Sequence, residues 1–305
     1  MKSQSTVMVG FILVFACVPG VLAQDNATLK AKVETLFSKL TQVYGAKDVQ
    51  GYMSVLADDY QLIFSGTGRE TTLATIKDIF KAYDRVREGH TILEITQSGN
   101  MIKVVFDGKL EGKAGNEDWE VIDQSTNVFF LVQENGFLKV ARSAQVDKYR
   151  MTNVNGQTYK DDQIGFSFTA PAKWEIFPSV HPLMQGTVYA LAPDKTCVAV
   201  FGFVNAPGAS AQQAVEGDEA SGKASSLPGI YKLFKSGRIN ISGHEGFQTE
   251  SKFFIPFTHE VYRRRVYFNA GALLYVICFD AVPPNQWDKV KSDFQLILDS
   301  IKVKD

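Results

Sequence analysis

The chain lacks an excess of charge of either sign, because its 305 residues contain 32 Lys and Arg against 33 Asp and Glu. A chain without net charge creates no strong field around itself, so the sequence predicts neither nucleic acid nor an anionic membrane surface as a partner. It also lacks an apolar run close to the roughly 20 residues that a transmembrane helix needs. The longest run, at positions 7–18, is too short. We therefore expect no transmembrane anchor.

Sequence motifs for several classes of active site are also missing. The chain has no Gly-x-Ser-x-Gly elbow, no Gly-Lys-Ser/Thr phosphate loop and no Gly-x-Gly-x-x-Gly run. The four histidines, His90, His181, His244 and His259, are scattered, and no two stand four residues apart. We expect neither a metal site nor a bound cofactor, and the sequence assigns no catalytic residue.

The first residues have the order of a secretory signal. Lys2 precedes the apolar run, Pro19 and Gly20 follow it, and Val21-Leu22-Ala23 offers a small residue before a cut. The pattern predicts a signal peptide at positions 1–23 and a secreted or periplasmic protein. Lipid attachment at Cys17 is the alternative, and the bulky Phe15 disfavours it.

Two cysteines remain after that segment, Cys197 and Cys278, and both lie in apolar, strand-like runs. An oxidising compartment would allow a disulfide between them. A buried free thiol, in contrast, packs as a small hydrophobic group. The sequence leaves both states open.

The N-terminal half alternates helical and strand patterns. Apolar residues recur at steps of three and four from Leu29 to Tyr44, around Tyr52 to Leu56, and from about Thr72 to Tyr83, with a strand at positions 60–64. Four strand candidates follow at 91–96, 101–110, 119–132 and 137–146, separated by Gly- and Asn-rich turns. The pattern is typical of an antiparallel meander next to helices.

This element order, with the Ala57-Asp58-Asp59-Tyr60 step and the closing stretch at 136–140, resembles the nuclear transport factor 2-like superfamily, including its SnoaL-like and ketosteroid-isomerase-like branches. The resemblance covers residues 25–151 and implies a cone-shaped, curved sheet around helices and a pocket. In the isomerase-like branch an aspartate late in the first strand removes a proton. Phe64 stands at that place, so the resemblance implies that the base is missing.

Polar and aromatic residues within the apolar strands are the candidates for lining such a pocket. Trp119, Asp123 and Asn127 share parity and therefore one face of a strand. Asp123 and Arg142 would pair if their strands are adjacent, and Tyr60 or Tyr44 would complete the set. The alternative, which the sequence favours, is a solvated face with a surface ion pair. The predicted ligand-binding set is Tyr60, Trp119, Asp123, Asn127 and Arg142.

The C-terminal half shows a second pattern. Gly165-Phe166-Ser167-Phe168, Pro171 and Trp174, the strand ending at Cys278-Phe279-Asp280 and the final helix with Leu298-Asp299-Ser300-Ile301 resemble the PsbP-like domain over residues 159–303. The resemblance implies an antiparallel sheet covered by helices, in a family of binding and assembly modules. Because side chains alternate along a strand, Arg263 and Arg265 share one face. The two alternatives are that they bind an anion or an acidic partner together, or that they belong to a charged face in contact with solvent.

Taken together, the sequence predicts an α+β protein of two domains. The expected layout is a signal peptide at 1–23, a nuclear transport factor 2-like domain at 24–152, a linker at 153–158 and a PsbP-like domain at 159–305. A non-catalytic binding or assembly role, for an unknown protein partner or small molecule, is favoured over catalysis. The alternative is an isomerase-like or dehydratase-like pocket enzyme. A homodimer is also open, since cone domains of this superfamily often pair.

The predicted signal is tested by the mass of the mature protein. Cleavage after Ala23 should leave a chain that begins at Gln24, because a small residue precedes the cut. Intact mass spectrometry of material exported by its own host measures this. A terminus at Cys17 that carries lipid would contradict the expectation.

Overall fold

The computed structural model describes residues 19–63, 68–180, 184–194, 197–205, 208–225, 231–255 and 259–304, and it has the expected α+β architecture. Five α-helices, two short 3-10 helices (Lys148–Asn153 and Pro284–Gln286) and sixteen strands are assigned within these ranges. The helices are α1 (Pro19–Gly45), α2 (Val49–Ser54), α3 (Arg69–Ala82), α4 (Ala211–Ser225) and α5 (Trp287–Ser300). The strands are β1 (Leu56–Leu62), β2 (Arg85–Ser98), β3 (Met101–Lys113), β4 (Glu120–Glu134), β5 (Phe137–Gln145), β6 (Val154–Asn155), β7 (Thr158–Asp161), β8 (Phe166–Thr169), β9 (Glu175–Pro178), β10 (Gln185–Leu191), β11 (Cys197–Asn205), β12 (Lys232–Ile241), β13 (His244–Ile255), β14 (His259–Ala270), β15 (Leu273–Ala281) and β16 (Lys302–Val303).

The N-terminal half is a five-stranded sheet in the order β1-β5-β4-β3-β2 with α1, α2 and α3 against one face. We call that face the inner face and the other the outer face. The apolar stripe of α1, with Val33, Phe37 and Leu40, packs on inner-face residues such as Val104 and Leu131. Leu56, which the helical spacing assigned to the second helix, belongs to β1, because α2 ends at Ser54.

The C-terminal half contains two sheets. Seven strands follow the order β12-β13-β14-β15-β11-β10-β9, and four short strands follow the order β16-β8-β7-β6. Helix α5 and the four-stranded sheet cover one face of the larger sheet, with Phe294, Phe168 and Phe201 in a common core. The segment predicted as a linker contains β6 and the start of β7, which pair as a hairpin. The boundary at 153–158 stays a prediction.

The other face of the larger sheet meets the outer face of the N-terminal sheet. Phe130 of β4 lies 5.6 Å from Phe177 of β9, measured between ring centroids, and Tyr189 stacks on Phe177 at 5.4 Å. Polar contacts border this apolar layer. The backbone N–H of Asp147 donates to the carbonyl oxygen of Pro178 at 3.1 Å, and the Ser179 hydroxyl donates to the carbonyl of Gln145. The two halves therefore share a buried layer.

The two cysteines lie on neighbouring strands but on opposite faces. Cys197 belongs to β11 and points into the core beneath α5, whereas Cys278 of β15 is opposite Val200, a residue packed toward the N-terminal half. They are not disulfide-linked. Separately, none of the helices in the described ranges combines the length and hydrophobicity that crossing a bilayer requires.

The shared layer is tested by truncating its central ring. Phe177 is 2% exposed, so Phe177→Ala should lower the free energy of unfolding by about 3–5 kcal/mol through lost burial and the cavity left behind. Urea unfolding measures the loss. The matched control is Phe137→Ala, because Phe137 is 72% exposed and its truncation should change stability by about 0.5 kcal/mol or less.

A double-mutant cycle shows whether the loss comes from contact between the halves. Phe130→Ala and Phe177→Ala should be coupled by roughly 0.5–3 kcal/mol, because the two rings touch. Additive losses would mean that the two halves do not form this layer in solution.

Candidate functional site

A cavity opens between the helices and the inner face of the N-terminal sheet. Its volume is about 340 Å³, at the lower end of the ~300–1,000 Å³ common for small-molecule sites. Its wall is mostly apolar, with a smaller number of hydroxyl, amide and carboxylate groups. The lining residues are Leu40, Tyr44, Tyr52, Leu56, Tyr60, Leu62, Thr71, Thr72, Thr75, Ile76, Ile79, Glu88, Phe106, Gly108, Lys109, Leu110, Asp123, Asn127, Phe129, Val140 and Ser143.

Three tyrosines contribute hydroxyls to this wall. The Tyr60 hydroxyl lies 2.8 Å from the Ser143 hydroxyl and also bonds to Thr72. The Tyr44 and Tyr52 side chains are hydrogen-bonded, and their rings meet edge to face at 5.3 Å. Burial raises the pKa of all three phenols above the ordinary tyrosine value. At neutral pH they are therefore protonated groups that exchange hydrogen bonds and do not act as bases.

Carboxylates form one side of the cavity. Glu88, Leu110 and Asp123 are direct partners across β2, β3 and β4, so their side chains share the inner face. The Thr41 hydroxyl donates to Glu88 at 2.6 Å, and the Ser125 hydroxyl donates to Asp123 at 2.7 Å. Both carboxylates act on Tyr44, where their charges add to the rise of its pKa.

Tyr60, Asp123 and Asn127 line the cavity, as the predicted set requires. Trp119 does not lie on the same face as Asp123 and Asn127. Leu110 pairs with Asp123 but Glu111 pairs with Val121, so β4 carries an extra residue between them. Such a bulge reverses the side on which the preceding residues point. Trp119 instead lies 4.2 Å from the guanidinium of Arg87, measured to the ring centroid. The parity expected for Trp119 is wrong for this reason.

Arg142 is also outside the cavity lining, and its pairing differs from the expected one. The register of β5 against β4 shifts after Phe130, which places Arg142 opposite that outer-face ring. Its guanidinium donates to the carbonyl oxygen of Asp59 at 2.5 Å and lies 3.5 Å from the Asp59 carboxylate. The proposed pair between Asp123 and Arg142 is wrong, because the two side chains lie on opposite faces of the sheet.

The position of Phe64 lies outside the described residues, so the missing base stays a prediction. Several cavity residues, in contrast, were not identified from the sequence. Glu88 lies on a strand that begins earlier than its apolar pattern indicates, and Ser143 follows a bulge that shifts its face. The helical spacing places Tyr52 on the second helix and gives no sign of a role in the cavity. For Glu88 the sequence offered one signal, namely a strand pattern that can be extended back to Arg85.

Arg263 and Arg265 share a face of β14, as the alternation predicts, and each is paired with a carboxylate. Arg263 donates to Asp280 at 2.5 and 2.6 Å, and Arg265 contacts Asp218 of α4. Arg264 points to the other face, where it donates to Gln248. A contact with an anion or an acidic partner stays a prediction, and these internal pairs would compete with it.

Within the ranges that the structure describes, no three His, Cys, Asp or Glu side chains converge in a way that could hold a metal ion.

No family profile matches this chain, and no curated protein does. Solved structures similar to it include a scytalone dehydratase-like protein from Novosphingobium aromaticivorans, with 12% identity, a TM-score of 0.37 and coverage of 41% of this chain and 87% of the other. They also include cyanobacterial PsbP from Synechocystis, with 18% identity, a TM-score of 0.38 and coverage of 48% and 92%. Aln2 from Streptomyces matches at 12% identity and a TM-score of 0.34, over 39% and 89%.

The raised phenol pKa values predict a loss of stability at high pH. An unfolded tyrosine ionises near pH ~10, whereas the folded protein keeps the protons on Tyr44, Tyr52 and Tyr60. Above pH ~10 the unfolded state therefore binds fewer protons than the folded state. The contribution of these phenols to stability is fully present below pH ~10 and is lost as the pH rises toward their pKa values in the folded protein. Each phenol should contribute a slope of up to about 1.4 kcal/mol per pH unit in that window.

Urea unfolding at a series of pH values measures this slope. Tyr44→Phe and Tyr60→Phe variants should lose less stability between neutral and alkaline pH than the parent chain does. Equal slopes in parent and variants would show that these phenols ionise as freely in the folded state as in the unfolded one.

Proposed function

We propose that the N-terminal cavity binds a small, largely apolar molecule and that the protein is a non-catalytic binding protein. The observation that carries the proposal is the cavity itself, an apolar space of about 340 Å³ with a few polar groups gathered on its wall. A site of this kind binds through apolar burial and uses the polar groups to orient the ligand.

The hydroxyl groups support binding more than chemistry. Tyr60 is held by Ser143, and Tyr44 by Tyr52, so their orientations exist before a ligand arrives. A preorganised donor or acceptor loses little conformational entropy on binding. Because burial raises the pKa of these phenols, they offer hydrogen bonds to a ligand hydroxyl or carbonyl but are poor acceptors of a proton.

One observation favours the alternative of an isomerase-like or dehydratase-like enzyme. Asp123 lines the cavity, where a carboxylate could serve as a general base. If so, Asp123→Asn should abolish turnover of a small carbonyl or hydroxy substrate while ligand binding persists. Binding without turnover in the parent chain supports the non-catalytic role.

The cellular location of the protein is part of the same proposal. The signal-like order of the first 23 positions, with Lys2 and the Val21-Leu22-Ala23 step, supports a secreted or periplasmic protein. Native mass spectrometry of protein recovered from its own host would reveal a retained small molecule. A retained protein partner without any small molecule would instead favour the assembly role.

Filling the cavity should abolish binding. Leu62 is partly buried and lines the cavity, so Leu62→Trp should occupy the space that a ligand needs. The probe is N-phenyl-1-naphthylamine, an uncharged dye whose fluorescence increases in apolar sites. We expect the parent chain to bind the dye and the variant to lose at least about tenfold in affinity, or about 1.4 kcal/mol.

The matched control is Leu93→Trp on β2, because Leu93 is 49% exposed and does not line the cavity. This variant should bind the dye as the parent does. Thermal unfolding of both variants checks that the fold persists. Dye binding that survives Leu62→Trp in a folded chain would place the site elsewhere and contradict the proposal.

A further inference from the structure

The ionisable side chains that line the cavity include more negative than positive groups. Three of its lining residues are ordinarily charged at neutral pH, namely Glu88, Lys109 and Asp123. Lys109 directs its ammonium to Glu111, with Nζ 2.7 Å from Oε1, and Glu111 also bonds to Arg87, so one cation stands against two carboxylates among the lining residues. The wall of the cavity therefore has an excess of negative charge.

The two carboxylates are partnered by neutral or weakly basic groups. Glu88 accepts a hydrogen bond from Thr41 and lies 3.3 Å from Nδ1 of His90, and Asp123 accepts one from Ser125. Among the described residues, neither has a Lys or Arg nitrogen within ion-pair distance. The Glu88 side chain is only 11% exposed, whereas Asp123 is an exposed residue that also lines the cavity.

The two carboxylates lie on the inner face, one strand to either side of Leu110, and the next residue of β3 on that face is Gly108. They flank Leu110 on three consecutive strands, and strands lie ~4.8 Å apart, which puts their Cα atoms roughly 10 Å apart. An ammonium group bridging two carboxylates needs about 5–6 Å between their oxygens. Glu88 contacts His90 and Asp123 contacts Ser125, so both carboxylates extend toward the level of Gly108, where β3 has no side chain.

Two aromatic residues, Tyr44 and Tyr52, line the same cavity as the carboxylates. The Tyr44 ring is close enough to both carboxylates for their charges to act on its hydroxyl, and it meets Tyr52 and Phe80 edge to face at 5.3 and 6.0 Å. Aromatic faces beside carboxylates are the usual surroundings of a bound organic cation. The rings therefore add a surface that suits an organic cation to the excess of negative charge.

We infer that the ligand of this cavity is an amine, whose apolar body fills the space and whose ammonium group lies between Glu88 and Asp123 beside Tyr44. The inference rests on the proposed function and adds the charge of the ligand. An ammonium donates hydrogen bonds to both carboxylates and offsets their charge. An anionic ligand of the same shape would be repelled, and an uncharged one would leave the excess charge in place.

Three compounds of nearly equal shape test the inference, namely 2-phenylethylamine, 2-phenylethanol and phenylacetate. Each competes with N-phenyl-1-naphthylamine at neutral pH and low salt. We expect the amine to bind about tenfold or more tightly than the alcohol, and phenylacetate to bind most weakly. Added salt should reduce the preference for the amine, because screening weakens charge pairing at a partly open site.

Two charge-removing variants identify the groups responsible. Glu88→Gln and Asp123→Asn should each reduce the amine-to-alcohol ratio, and the double variant should bring it close to one, with both compounds measured in the same variant so that a change in dye affinity cancels. The matched controls are Glu117→Gln and Asp118→Asn, which alter exposed carboxylates outside the cavity and should leave the ratio unchanged.

The outcomes separate this inference from the proposed function. Dye binding that Leu62→Trp blocks, together with an amine that competes no better than the alcohol or not at all, overturns the inference and leaves the cavity as a site for uncharged molecules. An amine preference that survives the double variant also overturns it. Absence of dye binding to the parent chain removes the proposed function itself, and the inference with it.

Discussion

The buried layer between the two halves is the contact on which the rest of the structure depends. Phe130 and Val128 on the outer face of the N-terminal sheet pack against Phe177, Tyr189 and Leu191 of the larger C-terminal sheet. Apolar burial supplies most of the stability of such a layer. The layer therefore stabilises the central strands of the N-terminal sheet through their outer face. The inner face can then remain partly uncovered without loss of the sheet.

The cavity follows from this support. Helix α1 covers the part of the inner face that contains Val104 and Leu131 and reaches Glu88 through Thr41, while the part near Asp123 is left open. Hydrogen bonds fix the polar side chains around the opening, as between Tyr60 and Ser143. A sheet that is rigid on one side and open on the other provides a ligand site whose shape exists before binding.

Much of the fold could be predicted from the sequence because it depends on short-range patterns. Helical spacing from Leu29 to Tyr44 and alternation in the strands at 101–110 and 137–146 match α1, β3 and β5. The short strands of the four-stranded sheet were not predicted as a sheet, because pieces of two to four residues carry almost no periodicity. Their pairing depends on contacts between distant segments, such as β16 with β8.

The sequence by itself determined the class of the fold and most of its helices and long strands, and it named Tyr60, Asp123 and Asn127 as candidates for a pocket while favouring a solvated face. Tertiary structure decided which face each polar side chain occupies. One extra residue in β4 moved Trp119 out of the cavity, and a shift in β5 turned Arg142 toward Asp59. A bulge leaves no reliable mark in local spacing, because it forms where two strands must match each other's twist and length.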